Sequence, residues 1–148
     1  MTEEPPAPLY VTAVRRRRRQ QPAEAIRTPD QVYRIVHPLV SDASREHFFA
    51  VYLSTRHAVL RVELVALGSL NASIVHPREV FKPAIEISAA SLVVCHNHPS
   101  GDPNPSEDDI EMTRRLQQGG EILGIELLDH VIIANGDFLS FREQGILS

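Results

Sequence analysis

"SLVVCHNHPSGDPNPSEDD" occupies residues 91–109, and its three parts call for three kinds of backbone. Ser91–Cys95 is a short, continuous apolar run, the pattern of a strand buried on both faces of a sheet. Pro99–Pro105 holds three prolines and Gly101, which stiffen and bend a polar loop. Ser106 then suits a helix N-cap, and the helix it opens runs over "SEDDIEMTRRLQQGGEILG", with Gly119 or Gly120 near its end. A buried strand thus opens onto a rigid loop, and the loop feeds a helix.

The flanking segments fit around that strand. Thr28 suits an N-cap, Pro29 the first helical position and Gln31 the partner of a capping box. Val32, Ile35, Val36 and Leu39 follow at helical spacing, and Pro38 should kink or end the helix. "EHFFAVYLST" (46–55) and "AVLRVELVAL" (58–67) read as a strand hairpin. "PREVFKPAIEIS" reads as a helix opened by Pro77 with Val80, Phe81, Ala84 and Ile85 inward, although Pro83 sits badly inside it. "LLDHVIIANGDFLSF" reads as two strands around an Asn135–Gly136 turn. The expectation is a mixed α/β fold: one domain over residues 28–148 with one core, a mixed central sheet and flanking helices.

Residues 1–27 mix prolines with the run Arg15–Arg19 and have no useful apolar period. They read as a disordered, arginine-rich tail. The tail carries six arginines against three glutamates, +3. The remaining 121 residues carry nine basic and sixteen acidic groups, −7. A polyphosphate partner would be attracted only by the tail. No apolar run reaches the ~18 residues of a membrane span, and the acidic N-terminus does not resemble a signal peptide. The single Cys95 cannot form an internal disulfide, which agrees with a reducing, cytoplasmic location.

His96 and His98 lie two apart where the buried strand emerges, so both imidazoles face one way. They can reach one metal ion at ~2.0–2.1 Å. The seven-residue loop spans at most ~23 Å, and Asp109, at the third helical position, can point back toward them. Two histidines, a carboxylate and one open position make a catalytic rather than a structural zinc site. The plain alternative is that Ser106 and Asp109 form a capping box, with Asp102, Glu107 and Asp108 as solvated acids. Cys95 should point to the opposite face as a buried structural thiol. Asp129 and His130 are either groups orienting a ligand or a half-buried polar pair at a strand start. His37, His47, His57 and His76 lie at element ends or turns and carry no assignment.

The spacing His96, His98, Ser106, Asp109 resembles the JAMM motif of JAB/MPN metalloproteases. More narrowly, "HNHPSGDPNPSEDD", with "HPREVFKPAI" before it and "DHVIIANGDFLSFREQGIL" after it, is similar to the C-terminal domain of RadC-like proteins over about residues 28–148. The resemblance implies one zinc ion held by His96, His98 and Asp109, and a Ser106 that stabilises the developing oxyanion. It also implies a catalytic glutamate on an early strand, best matched by Glu46, with Glu79 and Glu63 as rivals.

The implied function is a zinc-dependent metallopeptidase or isopeptidase in which metal-bound water attacks an amide carbonyl of a peptide or protein-conjugate substrate. RadC-like proteins commonly carry an N-terminal helix–hairpin–helix region, for which 27 residues leave no room. The competing reading is a DNA-associated accessory protein with a structural or vestigial metal, holding phosphate through its arginines. Glu46 and Ser106 separate the two, because only an enzyme needs both beside the metal. A zinc deaminase would need a Pro-Cys-x-x-Cys ligand pair, which one cysteine cannot supply.

Overall fold

Five strands form one sheet in the computed structural model, which describes residues 24–68 and 75–148. In chain order the elements are α1 (Pro29–Val36), a 3-10 turn (His37–Leu39), β1 (Glu46–Leu53), β2 (Val59–Gly68), α2 (Pro77–Glu86), β3 (Ser91–Asn97), α3 (Glu107–Leu123), β4 (Glu126–Ala134) and β5 (Asp137–Ser140). The strand order is β2-β1-β3-β4-β5. β3 pairs antiparallel with β1 and parallel with β4, and both outer pairs are antiparallel. The mixed α/β sheet expected from the residues is the one observed.

β3 is central and buried along its whole length, which accounts for its unbroken apolar run. Alternate side chains enter two separate cores rather than the single core expected. Phe48, Ala50, Tyr52, Leu92, Val94 and Ile132 pack with Val80, Phe81 and Ala84 of α2 and Met112 and Leu116 of α3. Phe49, Val51, Leu53, Val93, Cys95, Val131 and Ile133 pack with Val32 and Val36 of α1. Cys95 is buried on the face away from His96, as strand alternation requires, and burial pushes its thiol pKa up.

Several local signals act as their chemistry predicts. The Thr28 N–H donates to Gln31 Oε1 at 3.0 Å, α1 ends before Pro38, and Asn135 and Gly136 both take positive φ as a two-residue hairpin turn demands. One expectation fails. Ile85 is 58% exposed, because it stands about 100° beyond Ala84 around the helix and passes the buried stripe. The helix that follows Ser106 runs to Leu123 as its stretch predicts, with Gly119 and Gly120 near its end, and is capped by Gly124 at φ 72°. Gly120 lies inside the helix because the chain doubles back there. A Cβ on it would stand 2.3 Å from the Ile125 carbonyl oxygen, and the Ile125 N–H donates to the Gly120 carbonyl at 3.0 Å. Nothing in the structure explains Pro83.

The arginine run and the rest of the expected tail up to residue 23 lie outside the described residues. The last part of residues 1–27 is not tail. Ala25 bridges Ala58, the Ile26 N–H donates to the His57 carbonyl at 2.8 Å, and Ile26 is 7% exposed within the α1-side core. Ordered chain therefore begins before Thr28. Removing residues 1–23 should leave thermal stability and metal content unchanged, whereas removing 1–27 should cost ~1.5–3 kcal/mol for the lost isoleucine. Equal melting temperatures for the two truncations would show that Ile26 contributes nothing to folding.

Candidate metal centre

The last turn of β3 and the first turn of α3 meet at one end of the sheet. His96 leaves β3 on the side of α3, and His98 follows two residues on. The capping box brings Asp109 round to them: its N–H donates to Ser106 Oγ at 3.0 Å, and the Ser106 N–H donates to Asp109 Oδ2 at 2.9 Å. The plain helix-cap reading is therefore correct, and it is also what aims the carboxylate. Asp109 Oδ1 lies 3.2 Å from His96 Nε2, and Oδ2 lies 3.0 Å from His98 Nε2. The two Nε2 atoms are 2.9 Å apart.

Among the described residues this is a group of three that can hold a metal ion. Donor atoms around a tetrahedral ion at ~2.0–2.1 Å stand ~3.3 Å from one another, so the observed spacing needs little adjustment. The His98 ring is oriented from behind, where Nδ1 donates to the Asp102 carbonyl at 2.7 Å. That bond leaves the His98 Nε2 lone pair pointing at the cluster.

Charge is concentrated here. Burial works against ionising Asp109, but hydrogen bonds from His96, His98 and the Ser106 N–H more than offset it. The net effect holds the carboxyl far below the usual range. Burial also opposes charging His98, yet its bonds to Asp109 and Asp102 raise its pKa overall, with Glu46 contributing.

Glu46 stands across the cleft. Phe48 pairs with His96 between β1 and β3, and two steps outward along the antiparallel register bring Glu46 level with His98 on the same face. Glu46, His98, Ser106 and Asp109 line one open cleft of about 730 Å³, with Arg45, Gly68, Asp102 and Asp108 at its rim. The rivals lie elsewhere. Glu79, 60% exposed at its side chain, and Glu63, paired with Arg61 at 2.8 Å, both line a separate groove between β2 and α2.

Three supporting groups are less legible from residue type. Asn97 is buried; its Oδ1 accepts the His47 N–H at 2.6 Å and its Nδ2 donates to the Arg45 carbonyl at 2.9 Å. It thereby clamps the backbone on both sides of Glu46 to the strand end that carries the histidines. Thr113 Oγ1 and His130 stand behind His96, with His130 Nε2 at 2.7 Å from His96 Nδ1 and its Nδ1 at 2.6 Å from Thr113 Oγ1. Thr113 carries no signal beyond its place four residues after Asp109. Of the pair Asp129 and His130, only the histidine touches a member of the cluster. Asp129 accepts bonds from Ser140 Oγ at 2.5 Å and the Arg142 N–H at 3.0 Å, and it anchors the turn after β5. Of the four unassigned histidines, His76 caps α2, accepting the Arg78 N–H at 3.1 Å.

Residues 26–146 match the family model described as RadC-like JAB domain. A UPF0758 protein of Methanosarcina mazei is 47% identical over 128 residues, covering 86% of this chain and 56% of that protein. A UPF0758 protein of Halalkalibacterium halodurans is 57% identical over 122 residues, covering 82% of this chain and 53% of its own length. The chain spans about half the length of the curated relatives it matches. No helix among the described residues is long and apolar enough to cross a membrane. The chain belongs to the RadC-like JAB domain family, and its His96–His98–Asp109 cluster resembles the JAMM metal site.

Proposed function

We propose, with that family membership as the premise, that the domain is a zinc-dependent hydrolase of amide bonds, acting on a peptide or an isopeptide-linked conjugate. The observation that carries the reading is the convergence of two imidazoles and a carboxylate at 2.9–3.2 Å, two of which, His98 and Asp109, line the cleft that also holds Glu46 and Ser106. His96, His98 and Asp109 would hold the zinc ion, which would supply a Lewis acid to polarise a carbonyl and to acidify water near neutral pH.

The chain's own residues do the rest. Glu46 accepts a proton from the attacking water and returns it to the leaving nitrogen. Ser106 presents its hydroxyl to the carbonyl oxygen as that oxygen gains negative charge. Pro99, Ser100, Asp102 and Asn104 of the loop before α3 line the same cleft. The nucleic-acid reading gains no support from the cleft: Glu46, Asp102, Asp108 and Asp109 outnumber Arg45 there, and phosphate is repelled by such a surface.

The test is a peptide and isopeptide library screen on the purified full chain, with zinc content measured on the same sample. Cleavage should require about one zinc per chain, stop on chelation and return on adding zinc back. Cleavage that survives complete metal removal would overturn the proposal, as would stoichiometric zinc without cleavage of any library member.

A further inference from the structure

Behind the cluster, a chain of buried groups starts and ends on residues that face the metal position. The Thr113 hydroxyl donates to the main-chain carbonyl of Asp109 at 2.7 Å. His130 Nδ1 lies 2.6 Å from the same hydroxyl oxygen, and His130 Nε2 lies 2.7 Å from His96 Nδ1. Thr113 is 3% exposed, His130 0% and His96 2%, so the chain is closed to solvent.

Its hydrogens can be placed by counting. A carbonyl oxygen only accepts, so the single hydroxyl hydrogen of Thr113 is committed to Asp109. His130 Nδ1 must then carry a hydrogen and donate to Thr113 Oγ1. A second hydrogen on His130 would make a sealed imidazolium whose ring nitrogens face only a hydroxyl and another imidazole, a costly arrangement. Nε2 of His130 is therefore an acceptor, and His96 Nδ1 must donate to it. When the His96 ring is neutral its single hydrogen is therefore on Nδ1, and the nitrogen left for a metal is Nε2, the atom 3.2 Å from Asp109 and 2.9 Å from His98 Nε2.

We infer that Thr113 and His130 act as positioning residues whose one-way hydrogen-bond chain, anchored on the Asp109 carbonyl, holds His96 with its hydrogen on Nδ1 and its Nε2 lone pair at the metal position. Asp109 would thus serve the site twice, offering its carboxylate in front and setting the ring of His96 from behind through its carbonyl. Without the Thr113 hydroxyl the polarity is no longer imposed. His130 can then place its hydrogen on Nε2, His96 Nδ1 becomes an acceptor, and the hydrogen of His96 moves onto the nitrogen that must ligate. The inference rests on the proposed metal site for its purpose, though the hydrogen placement itself needs no metal.

The experiment is nitrogen-15 NMR of the imidazoles in the metal-free full chain at a pH where they are neutral, with zinc affinity measured by chelator competition. His96 and His130 should both show the Nδ1–H tautomer, the minority form of a free neutral histidine. Thr113→Val should shift them toward Nε2–H and weaken zinc binding ~10–100-fold, with Thr113→Ser restoring both readings. An Nε2–H tautomer on His130 in the unaltered protein would overturn the inference without any variant having to fold. Unchanged tautomers and affinity in a folded Thr113→Val would overturn it as well. Correct tautomers in a chain that binds no zinc would support the hydrogen-bond chain and overturn instead the metal reading.

Discussion

Replacing Glu46 by glutamine is expected to lower amide hydrolysis by ~10²–10⁴ while zinc content stays at the level of the unaltered protein. Glutamine keeps the length of the side chain and removes its ability to take a proton. Position is the reason for choosing Glu46. It opens β1 level with His98, it is half-buried, and it lines the cleft that holds His98, Ser106 and Asp109. Glu63→Gln and Glu79→Gln serve as controls, because both residues sit in the groove between β2 and α2, and each should leave the rate within about twofold. Rates and zinc must be read on the same samples. A fully active Glu46→Gln would remove Glu46 from the mechanism, while a variant that loses zinc would make it a structural residue.

What the residues alone disclose about this domain follows from how local each feature is. The strand, the loop and the N-cap of α3 are specified within Ser91–Asp109, so the approach of Asp109 to the two histidines could be anticipated from the span of one short loop. Thr28 with Gln31, and Asn135 with Gly136, are equally local and behave accordingly. Glu46 is a different case. Its relation to His98 depends on β1 pairing with β3 across fifty residues, and no spacing within the chain measures that register. Thr113 and Asn97 were invisible for the same reason, since their importance arises only when three elements pack. The glycines near the end of α3 read locally as helix-end signals. What requires Gly120 is the close return of Ile125, a tertiary cause that no local pattern carries. Ile26 reads as tail because it follows a proline-rich, charged stretch, and only its pairing partner His57 shows that it belongs to the core.

Asp109→Asn should abolish stoichiometric zinc binding, and Asp108→Ala should leave it intact. Neighbouring helical residues differ by about 100° in direction; accordingly Asp109 is buried against both histidines while Asp108 is exposed. Asparagine is the better test than alanine, because its side-chain oxygen can still accept the Ser106 N–H and keep both halves of the capping box, whereas alanine also removes the half that the Asp109 side chain supplies. The same carboxylate sets the pH response. Its folded pKa is depressed despite burial, so its contribution to stability is complete above the unfolded value near ~3.9 and disappears only as pH falls through the folded one. Loss of zinc on mild acidification must therefore come from the histidines. Burial resists a proton on His98, but Asp109 and Asp102 draw one in and raise its pKa. Zinc affinity should thus climb as rising pH clears that proton, because metal and proton compete for Nε2. Chelator competition across a pH series, with imidazole titration by NMR on the metal-free protein, measures both. In Asp109→Asn the His98 pKa should fall as its carboxylate partner is lost. Zinc that stays stoichiometric in Asp109→Asn, or that vanishes in Asp108→Ala, would show that the ligand from α3 is not Asp109.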